Sequence, residues 1–301
     1  MDEKKALEIF EKHICTKIIK IERCGVGHGN YVYIVSGETD KYVIRCSDED
    51  DAYKNTIHWL KRLKEINIPV PEIIADGKYK NYNYIILSYL SGQDLGIVYP
   101  TLSNDEKRII AGEVVKIQNT VSTIELEDVE DNWYWYSFIQ YILERAKERI
   151  ENNGYFDIDK IEQLYKMSEI LQDYFNQIKP VAYLDDISTK NLLIENGKVS
   201  GIIDVDWIGI GDKLTYVALS NVALLNMDYD TNYVDYLLEE MDIKQAERKA
   251  FIYYSLLFCV DFMGERGMQF GDKRIDVNET IISRLNQIYD NLIIKWNYLN
   301  S

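Results

Sequence analysis

The sequence predicts an α+β protein with a small strand-rich part, residues 1–90, and a larger, mainly helical part, residues 91–301. Up to about residue 90, short segments rich in β-branched and aromatic residues alternate with turns that contain glycine or proline. From about residue 103 onward, apolar residues recur every three or four positions, which is the period of amphipathic helices. Because the composition changes near residue 90 and no repeat or low-complexity linker interrupts the chain, we place the domain boundary there.

The size and composition of the chain exclude several classes of protein. Its 301 residues suit two modest domains or one large one, and an apolar fraction of 47% is typical of a globular protein. No apolar run approaches the length of a membrane span, and the charged N-terminal segment lacks the uninterrupted apolar stretch of a signal peptide. We therefore expect a cytoplasmic protein without a membrane partner, and we expect it to be a monomer.

The formal net charge of −16 argues against nucleic-acid partners, which require a basic surface. Such a charge suits the attraction of a cationic small molecule, although an acidic surface that serves solubility explains it equally well. The four cysteines and three histidines are dispersed, without a C-x-x-C pair. Neither a zinc site nor a disulfide framework is therefore expected.

The strand-rich part begins with strands on either side of a glycine-rich turn. Gly25, Gly27 and Gly29 stand at alternate positions and are followed by Asn30. Glycines in this arrangement let backbone N–H groups approach a phosphate closely. The pattern matches neither the dinucleotide fingerprint nor the P-loop, so an ordinary glycine-rich hairpin explains it equally well.

The remaining elements follow from the same patterns. A strand is expected at 42–45, a helix at 52–66 and, after the prolines that end this helix, strands at 71–75 and 82–88. The mainly helical part is expected to contain helices at 106–120, 132–152, 158–179, 245–262 and 279–299.

The segment around Asn196-Gly197 carries the most informative pattern, a β-hairpin with polar residues at its open end. Apolar runs flank this dipeptide, which is the strongest short signal for a type I′ turn, and the returning strand is expected at 199–205. Pairing outward from the turn brings Asn191 and Asp204 to the same end. Their amide and carboxylate oxygens suit Mg²⁺, whose other ligands would be water and phosphate.

Asp186 lies five residues before Asn191, and Asp204 follows at the exit of the hairpin. This spacing is that of the kinase catalytic loop followed by its metal-binding aspartate. A bare D-x₄-N is common by chance, and a structural hairpin with a polar mouth would contain it, but the I-I-D and G-D that follow make the combination much rarer. In these motifs the sequence resembles the aminoglycoside phosphotransferase and choline kinase-like family, whose core is similar to H-x-D-x-x-x-x-N, then I-D, then G-D-P.

The resemblance implies a two-lobed protein-kinase-like fold, in which a strand-rich lobe and a helical lobe hold a nucleotide between them. It implies that Asp186 orients or deprotonates the attacking hydroxyl, while Asn191 and Asp204 hold Mg²⁺ on the phosphates. Arg45 stands where such folds carry the lysine that pairs with the phosphates, and the glycine-rich turn would cover the nucleotide. A solvent-exposed arginine at the edge of the sheet is the alternative interpretation.

The segment after the last predicted strand of the first part resembles the connection between the two lobes. By this resemblance, backbone groups of Ser88 and Leu90 would contact the base of the nucleotide, and Leu87 would line its pocket. An ordinary strand-to-helix connection would have the same spacing.

The chain departs from the family pattern at three positions. Leu184 replaces the histidine two residues before the catalytic aspartate, and Tyr216 replaces a downstream aspartate. The glutamate that would pair with the phosphate-binding residue is not visible, because Asn55 and Thr56 stand near the matching turn of the helix. Either this ion pair is absent or a carboxylate from residues 49–51 substitutes.

Further residues are candidates for contacts with the acceptor. Asp206 and Trp207 closely follow Asp204, and aromatic side chains with acidic neighbours can cage an amine or stack on a sugar. Asp185 is an acceptor candidate and also a competing candidate for the base, although only Asp186 keeps the five-residue step to the asparagine.

Together these patterns predict a magnesium-dependent kinase that transfers the γ-phosphoryl group of ATP or GTP to a hydroxyl group of a small acceptor. A cationic acceptor such as an aminoglycoside-like antibiotic or an amino sugar is expected, and the former would make the protein an antibiotic-resistance enzyme. A choline-type or other metabolite kinase is the alternative among enzymes. A catalytically weak, nucleotide-binding pseudokinase is the alternative that the three departures would allow.

Overall fold

The structure is a computed structural model that describes residues 1–24, 30–126, 129, 133–270 and 273–300, without the side chains of residues 30, 270, 273 and 300. The chain divides into two compact units. The first unit comprises Met1–Gly92, Ser200–Trp207 and Gln269–Arg274, and the second comprises Gln93–Val199, Ile208–Met268 and Ile275–Ser301. The first unit is rich in strands and the second is mainly helical, which confirms the predicted α+β class.

The strands are β1 (Lys20–Arg23), β2 (Asn30–Ser36), β3 (Lys41–Ser47), β4 (Ile73–Tyr79), β5 (Tyr82–Ser88), β6 (Gln93–Asp94), β7 (Ala182–Tyr183), β8 (Leu192–Glu195), β9 (Lys198–Ile202), β10 (Gly209–Ile210), β11 (Gln269–Phe270) and β12 (Lys273–Arg274). The helices are α1 (Glu3–Phe10), α2 (Lys54–Glu65), α3 (Leu95–Val98), α4 (Asn104–Val121), α5 (Trp135–Asn153), α6 (Asp159–Ile170), α7 (Gln172–Phe175), α8 (Leu214–Asn226), α9 (Asn232–Glu240), α10 (Gln245–Glu265) and α11 (Glu279–Asn300).

The first unit is built on an antiparallel five-stranded sheet of order β1–β2–β3–β5–β4. One face of this sheet packs against α1, where Ile44 and Cys46 of β3 share an apolar cluster with Ile9 and Phe10. Successive side chains of a strand point to opposite faces of the sheet. Arg45, which lies between Ile44 and Cys46 on β3, therefore points to the face away from α1.

The helices of the second unit agree in part with the sequence. Helices predicted at 106–120, 245–262 and 279–299 correspond to α4, α10 and α11. The single helix predicted at 158–179 is instead α6 followed by α7, because Leu171, with φ −95° and ψ 5°, departs from helical geometry between them.

Helix α8 was not expected, and its composition explains why. Most of its residues are buried, on all sides of the helix, so the apolar residues leave no amphipathic period to detect. Within the described residues, no helix has both the length and the apolar composition that crossing a bilayer requires.

The hairpin predicted at Asn196-Gly197 is present between β8 and β9. The two residues have φ angles of 51° and 72°, and a type I′ turn requires positive φ at both positions. The returning strand ends at Ile202 and not at residue 205. Asp204 has a φ of 60°, so it cannot continue an extended strand.

Candidate active site

The loop that carries Asp186 follows β7 in the second unit, and a buried side chain of α4 fixes its beginning. Gln118 Nε2 donates to the carbonyl oxygen of Leu184 at 2.8 Å, and Gln118 Oε1 accepts from the N–H of Leu184 at 2.9 Å. Gln118 and Leu184 are only 1% and 2% exposed. Leu184 stands where the family motif has histidine. The hydrogen bonds from Gln118 fix the backbone of the loop at this position, and the sequence gives no sign of them.

The side chains of Asp186 and Asn191 meet in this loop. Asn191 Nδ2 donates to Asp186 Oδ2 at 3.0 Å and to the carbonyl oxygen of Asp186 at 3.1 Å. Asn191 has a φ of 65°, in the left-handed region that asparagine adopts more readily than most residues. Because Nδ2 faces Asp186, the amide Oδ1 is the atom of Asn191 that suits a cation.

Asp94, at the end of β6, holds the backbone of Asn191. Its Oδ1 accepts a hydrogen bond from the Asn191 N–H at 3.1 Å, beside the pairing of Asp94 with Leu193 on β8. Gly96 follows in α3 and donates its N–H to the carbonyl oxygen of Thr189 at 2.8 Å. A β-carbon at Gly96 would lie only 3.0 Å from that oxygen, so glycine permits the close approach. Asp94 carries no sequence signal beyond its place in the Gly-Gln-Asp-Leu segment.

Asp185 and Asp186 are both exposed but differ in their relation to Asn191. The Asn191 amide reaches the carboxylate of Asp186, five positions earlier, and not that of its neighbour. The geometry therefore favours Asp186 as the partner of Asn191. Asp185 stays the competing candidate for the base.

Arg45 on β3 is bound, within the first unit, by carboxylates that follow β9. Its Nη1 and Nη2 donate to Asp206 Oδ1 and Oδ2 at 3.0 and 2.7 Å, a bidentate pairing. Nη1 also lies 3.3 Å from Asp204 Oδ1, and the arginine side chain is only 11% exposed. Burial by itself would lower the pKa of Arg45, but the hydrogen bonds and charge of Asp206 and the charge of Asp204 raise that pKa above its ordinary value.

Asp206 is held from a second side by Thr56 on α2, whose Oγ1 donates to Asp206 Oδ1 at 2.6 Å. Thr56 is 2% exposed and stands near the helical turn where the family carries a glutamate. Arg45 therefore has an ion pair, and the carboxylate that binds it in bidentate fashion is Asp206. The sequence left two alternatives open, an absent ion pair or a carboxylate from residues 49–51, and neither is found in the described part of the chain. Asp206 was expected to face the acceptor, but both of its carboxylate oxygens are engaged within the protein.

Asp204 and Trp207, on either side of Asp206, are more open to solvent. The Asp204 side chain is 54% exposed. Trp207 is 70% exposed, which is uncommon for so large an apolar side chain. Asp204 thus offers a carboxylate to a ligand, and Trp207 offers an aromatic face.

The donor atoms at two predicted positions have the chemistry that Mg²⁺ requires. Asn191 in the second unit offers an amide oxygen, and Asp204 in the first unit offers a carboxylate. Mg²⁺ prefers such oxygen ligands and usually takes only one or two from the protein, with water and phosphate as the others. In the part of the chain that the structure describes, no group of three or more histidine, cysteine, aspartate or glutamate side chains is arranged for a metal ion.

The segment predicted to contact the nucleotide base begins at the end of β5. The backbone N–H of Ser88 donates to the carbonyl oxygen of Glu72 at 2.9 Å, and the N–H of Glu72 donates to Ser88 Oγ at 2.8 Å. The backbone N–H and the side-chain hydroxyl of Ser88 are therefore both already engaged within the protein. Leu87 is 5% exposed, and Leu90 packs so closely on β9 that a β-carbon at Gly201 would lie 2.5 Å from Leu90 Cδ1.

The glycine-rich turn lies outside the described residues. Gly25, Gly27 and Gly29 belong to the undescribed segment 25–29, and Asn30 begins β2 without a described side chain. Their contact with a nucleotide stays a prediction.

A buried network holds Asp212, which follows β10. Tyr174 and Tyr254 donate to Asp212 Oδ2 at 2.6 and 2.9 Å, and the N–H of Leu214 donates to Asp212 Oδ1 at 3.0 Å. Trp135 Nε1 in turn donates to Tyr254 Oη at 2.8 Å. Burial raises the pKa of Asp212 above its ordinary value, against the opposing effect of these hydrogen bonds. The network braces the segment between the hairpin and α8.

Comparison with known proteins links this geometry to a family. Residues 20–235 match the family described as "Phosphotransferase enzyme family". The chain is 23% identical over 265 residues to an aminoglycoside 3'-phosphotransferase of Enterococcus faecalis, an alignment that covers 83% of this chain and 94% of the relative. It is 22% identical over 236 residues to an aminoglycoside 3'-phosphotransferase of Staphylococcus aureus, covering 73% of this chain and 86% of the relative.

Solved structures share the fold along nearly the whole chain. A thermostable mutant of aminoglycoside phosphotransferase APH(4)-Ia superposes with a TM-score of 0.68 at 14% identity, covering 99% of this chain and 98% of the other. ADP-bound aminoglycoside phosphotransferase APH(2'')-Ib has a TM-score of 0.64 at 16% identity, covering 98% of this chain and 99% of the other. A variant of the first enzyme, in a ternary complex with ADP and hygromycin B, has a TM-score of 0.65 at 14% identity, covering 99% of this chain and 97% of the other. These similarities confirm the protein-kinase-like fold predicted from the sequence.

Proposed function

The chain belongs to the phosphotransferase enzyme family and is a phosphotransferase, and we propose that it transfers the γ-phosphoryl group of ATP to a hydroxyl group of an aminoglycoside-like antibiotic. The names of the two relatives support this acceptor class, and the complex of a structural neighbour with ADP and hygromycin B supports an adenine nucleotide as donor. Such a reaction would confer antibiotic resistance. GTP is the alternative donor, and an amino sugar is the alternative acceptor.

The observation that carries the proposal is the contact between Asn191 Nδ2 and Asp186 Oδ2. In phosphoryl transfer the protein makes no bond to phosphorus, so catalysis depends on positioning and on electrostatic stabilisation. The contact holds an exposed carboxylate in one orientation, from which it can accept a hydrogen bond or a proton from the attacking hydroxyl. Asp94 and Gln118 in turn fix the backbone on either side of Asp186.

For Mg²⁺, the proposed ligands are Asn191 Oδ1 and the Asp204 carboxylate. Both atoms belong to the hard oxygen donors that this ion prefers. The bound ion would neutralise charge on the phosphates. The protein's own part is to orient the two side chains, Asn191 through Asp186 and Asp204 through Arg45.

For the nucleotide, we propose that Arg45 binds the phosphates and that the glycine-rich turn, Gly25–Gly29 with Asn30, closes over them. A guanidinium group holds its charge at any physiological pH and has five N–H groups, of which two donate to Asp206, so the others can donate to phosphate oxygens. The base would contact the backbone at Ser88 and Leu90, beside the buried side chain of Leu87.

For the acceptor, we propose contacts with Trp207 and Asp185. A protonated amine is attracted to a tryptophan face and to carboxylates, and both of these side chains are exposed. The net charge of −16 adds a general attraction for a polycationic antibiotic. Asp206 is no longer proposed for this role, because Arg45 and Thr56 already bind its carboxylate.

The pseudokinase alternative rested on three departures from the family pattern. At Leu184, the hydrogen bonds of Gln118 provide the loop with another support. At Thr56, the carboxylate missing from the helix is supplied by Asp206. Tyr216, at the third position, is 1% exposed and belongs to the core of the second unit. Two of the three losses thus have substitutes, which favours an active enzyme.

The direct test is incubation of the protein with ATP or GTP, Mg²⁺ and a panel of aminoglycosides, amino sugars and choline, followed by mass spectrometry of the acceptors. A phosphorylated aminoglycoside that is absent with the Asp186→Asn variant is the expected result. Phosphorylation of choline alone would replace the proposal with a metabolite kinase. Thermal stabilisation by nucleotide without any phosphorylated acceptor would replace it with a pseudokinase.

A further inference from the structure

The inference concerns Arg45 and the origin of its carboxylate partner. A guanidinium that is only 11% exposed, on a central strand of the sheet, is costly to bury unless a carboxylate neutralises it. Helix α2 provides no such group near its start, where Asn55 and Thr56 stand. The partner comes instead from Asp206, which lies 161 positions further along the chain.

The carboxylate of Asp206 accepts three hydrogen bonds from side chains. Two of them come from the guanidinium of Arg45, at 3.0 and 2.7 Å, and one comes from the hydroxyl of Thr56, at 2.6 Å. Tyr53, which is 4% exposed, lies below the guanidinium, with 5.4 Å between its ring centroid and Arg45 Cζ. Arg45 is therefore held from two directions, by a carboxylate and by an aromatic ring.

We propose that Asp206 is the positioning residue for Arg45, in the place of a carboxylate on α2, and that it fixes the guanidinium for binding the nucleotide phosphates. This inference rests on the proposed function, since it assigns Arg45 to the phosphates. The inference also assigns two functions to residues 204–206, metal binding and the positioning of Arg45. Asp204, the proposed metal ligand, and Asp206 are two positions apart, and both lie against the same guanidinium.

The hydroxyl of Thr56 suggests a variant that moves the carboxylate onto the helix. Thr56 Oγ1 already contacts Asp206 Oδ1, which in turn accepts from Arg45 Nη1. The carboxylate oxygens of a glutamate lie two bonds beyond the γ position that the threonine hydroxyl occupies, and Asp206 Oδ1 is 2.6 Å from that hydroxyl. Thr56→Glu combined with Asp206→Ala should therefore present a carboxylate to Arg45 from α2.

The test measures binding of a non-hydrolysable ATP analogue with Mg²⁺ by calorimetry, without any acceptor. Asp206→Ala and the isosteric Asp206→Asn should weaken nucleotide binding by about tenfold or more. Both variants remove the charge-assisted hydrogen bonds that fix the Arg45 guanidinium for the phosphates. The variant Thr56→Glu/Asp206→Ala should recover most of the lost affinity. Asp76→Ala, which removes an exposed carboxylate from β4 of the same unit, serves as the matched control and should bind as the unmodified protein does.

Wild-type affinity in both Asp206 variants would overturn the inference, as would a well-folded double variant that binds as weakly as Asp206→Ala. A second measurement does not depend on the double variant. In an Arg45→Met background, Asp206→Asn should cause no further loss of nucleotide affinity, and an additional loss would mean that Asp206 acts independently of Arg45. If the unmodified protein binds no nucleotide at all, the proposed function fails instead, and this result is distinct from an unchanged affinity in the variants.

Discussion

Gln118 bonds both backbone polar groups of Leu184, at 2.8 and 2.9 Å, two residues before Asp186. Both residues are buried, so water cannot replace these hydrogen bonds when the glutamine is lost. The contact joins α4 to the start of the loop that carries the proposed catalytic aspartate. It therefore affects stability and the position of the reacting group together.

Gln118→Leu should lower stability and turnover at the same time. The change preserves much of the side-chain volume but leaves the buried N–H and C=O of Leu184 unpaired, at a cost of about 2 kcal/mol or more. A displaced loop should also reduce kcat, by up to about a hundredfold, while the KM for nucleotide changes little. Urea unfolding and steady-state kinetics measure the two effects. Gln177→Leu, on an exposed glutamine, is the control and should leave both unchanged.

Asp186→Asn should lower kcat by about a hundred- to ten-thousand-fold and should leave nucleotide affinity almost unchanged. The amide cannot accept the hydroxyl proton, but it preserves the size of the side chain. Asp185→Asn is the matched variant at the neighbouring carboxylate, and we expect it to retain most of kcat. Kinetics with a saturating acceptor decide between them, and the reverse pattern would make Asp185 the base.

Gly211→Ala should destabilise the protein by about 3 kcal/mol or more. Gly211 has a φ of 134°, and a β-carbon there would collide with the ring of Trp135, so backbone strain and overpacking act together. Gly154→Ala is the control for strain alone. Gly154 has a φ of 66° but no atom within 4 Å of the added carbon, so its cost should be about 1 kcal/mol. Chemical denaturation measures the free energy of unfolding of both variants. A similar decrease in the two would contradict a collision between Trp135 and the added β-carbon at position 211.

The contribution of Asp212 to stability should decrease as the pH rises. Burial raises the pKa of this carboxyl in the folded protein, so the folded state binds its proton more tightly than the unfolded chain does. The resulting stabilisation is complete below the unfolded pKa of about 4 and is lost as the pH rises through the folded pKa. Asp212→Asn cannot ionise. The free energy of unfolding of the unmodified protein minus that of the variant should therefore be largest in acid and fall toward neutral pH.

Asp242→Asn provides a control of the opposite sign. The hydrogen bond and charge of Lys244 lower the pKa of this exposed carboxyl, so its contribution should be absent in acid and should appear as the pH rises. Unfolding free energies of the three proteins across the same pH range give both curves. Parallel curves for the two variants would contradict the raised pKa of Asp212.

A local pattern predicted the hairpin beside the candidate site correctly. The type I′ turn at Asn196-Gly197 follows from the preference of these two residues for positive φ, which needs no tertiary contact. The spacing of five residues places Asp186 and Asn191 near each other along the chain, but it did not predict the hydrogen bond between their side chains. The end of β9 could not be predicted in the same way, because the left-handed conformation of Asp204 breaks an otherwise apolar run.

Contacts between distant residues were beyond such patterns. Arg45 and Asp206 are separated by 161 positions, and Gln118 and Leu184 by 66. No periodicity or spacing records these pairings. The absence of a glutamate from α2 and of a histidine at position 184 therefore looked like losses. The folded chain supplies the carboxylate of Asp206 and the amide of Gln118 instead.

The amino-acid sequence by itself determined the α+β class, the hairpin turn and the spacing of Asp186, Asn191 and Asp204 along the chain. These features depend only on backbone preferences and on short separations in sequence. The tertiary structure alone decided which carboxylate neutralises Arg45 and which side chain satisfies the backbone of Leu184. The physical reason is that a buried charge or an unpaired buried polar group is costly in any fold, but many residues can remove the cost. Only the packing of the chain selects among them.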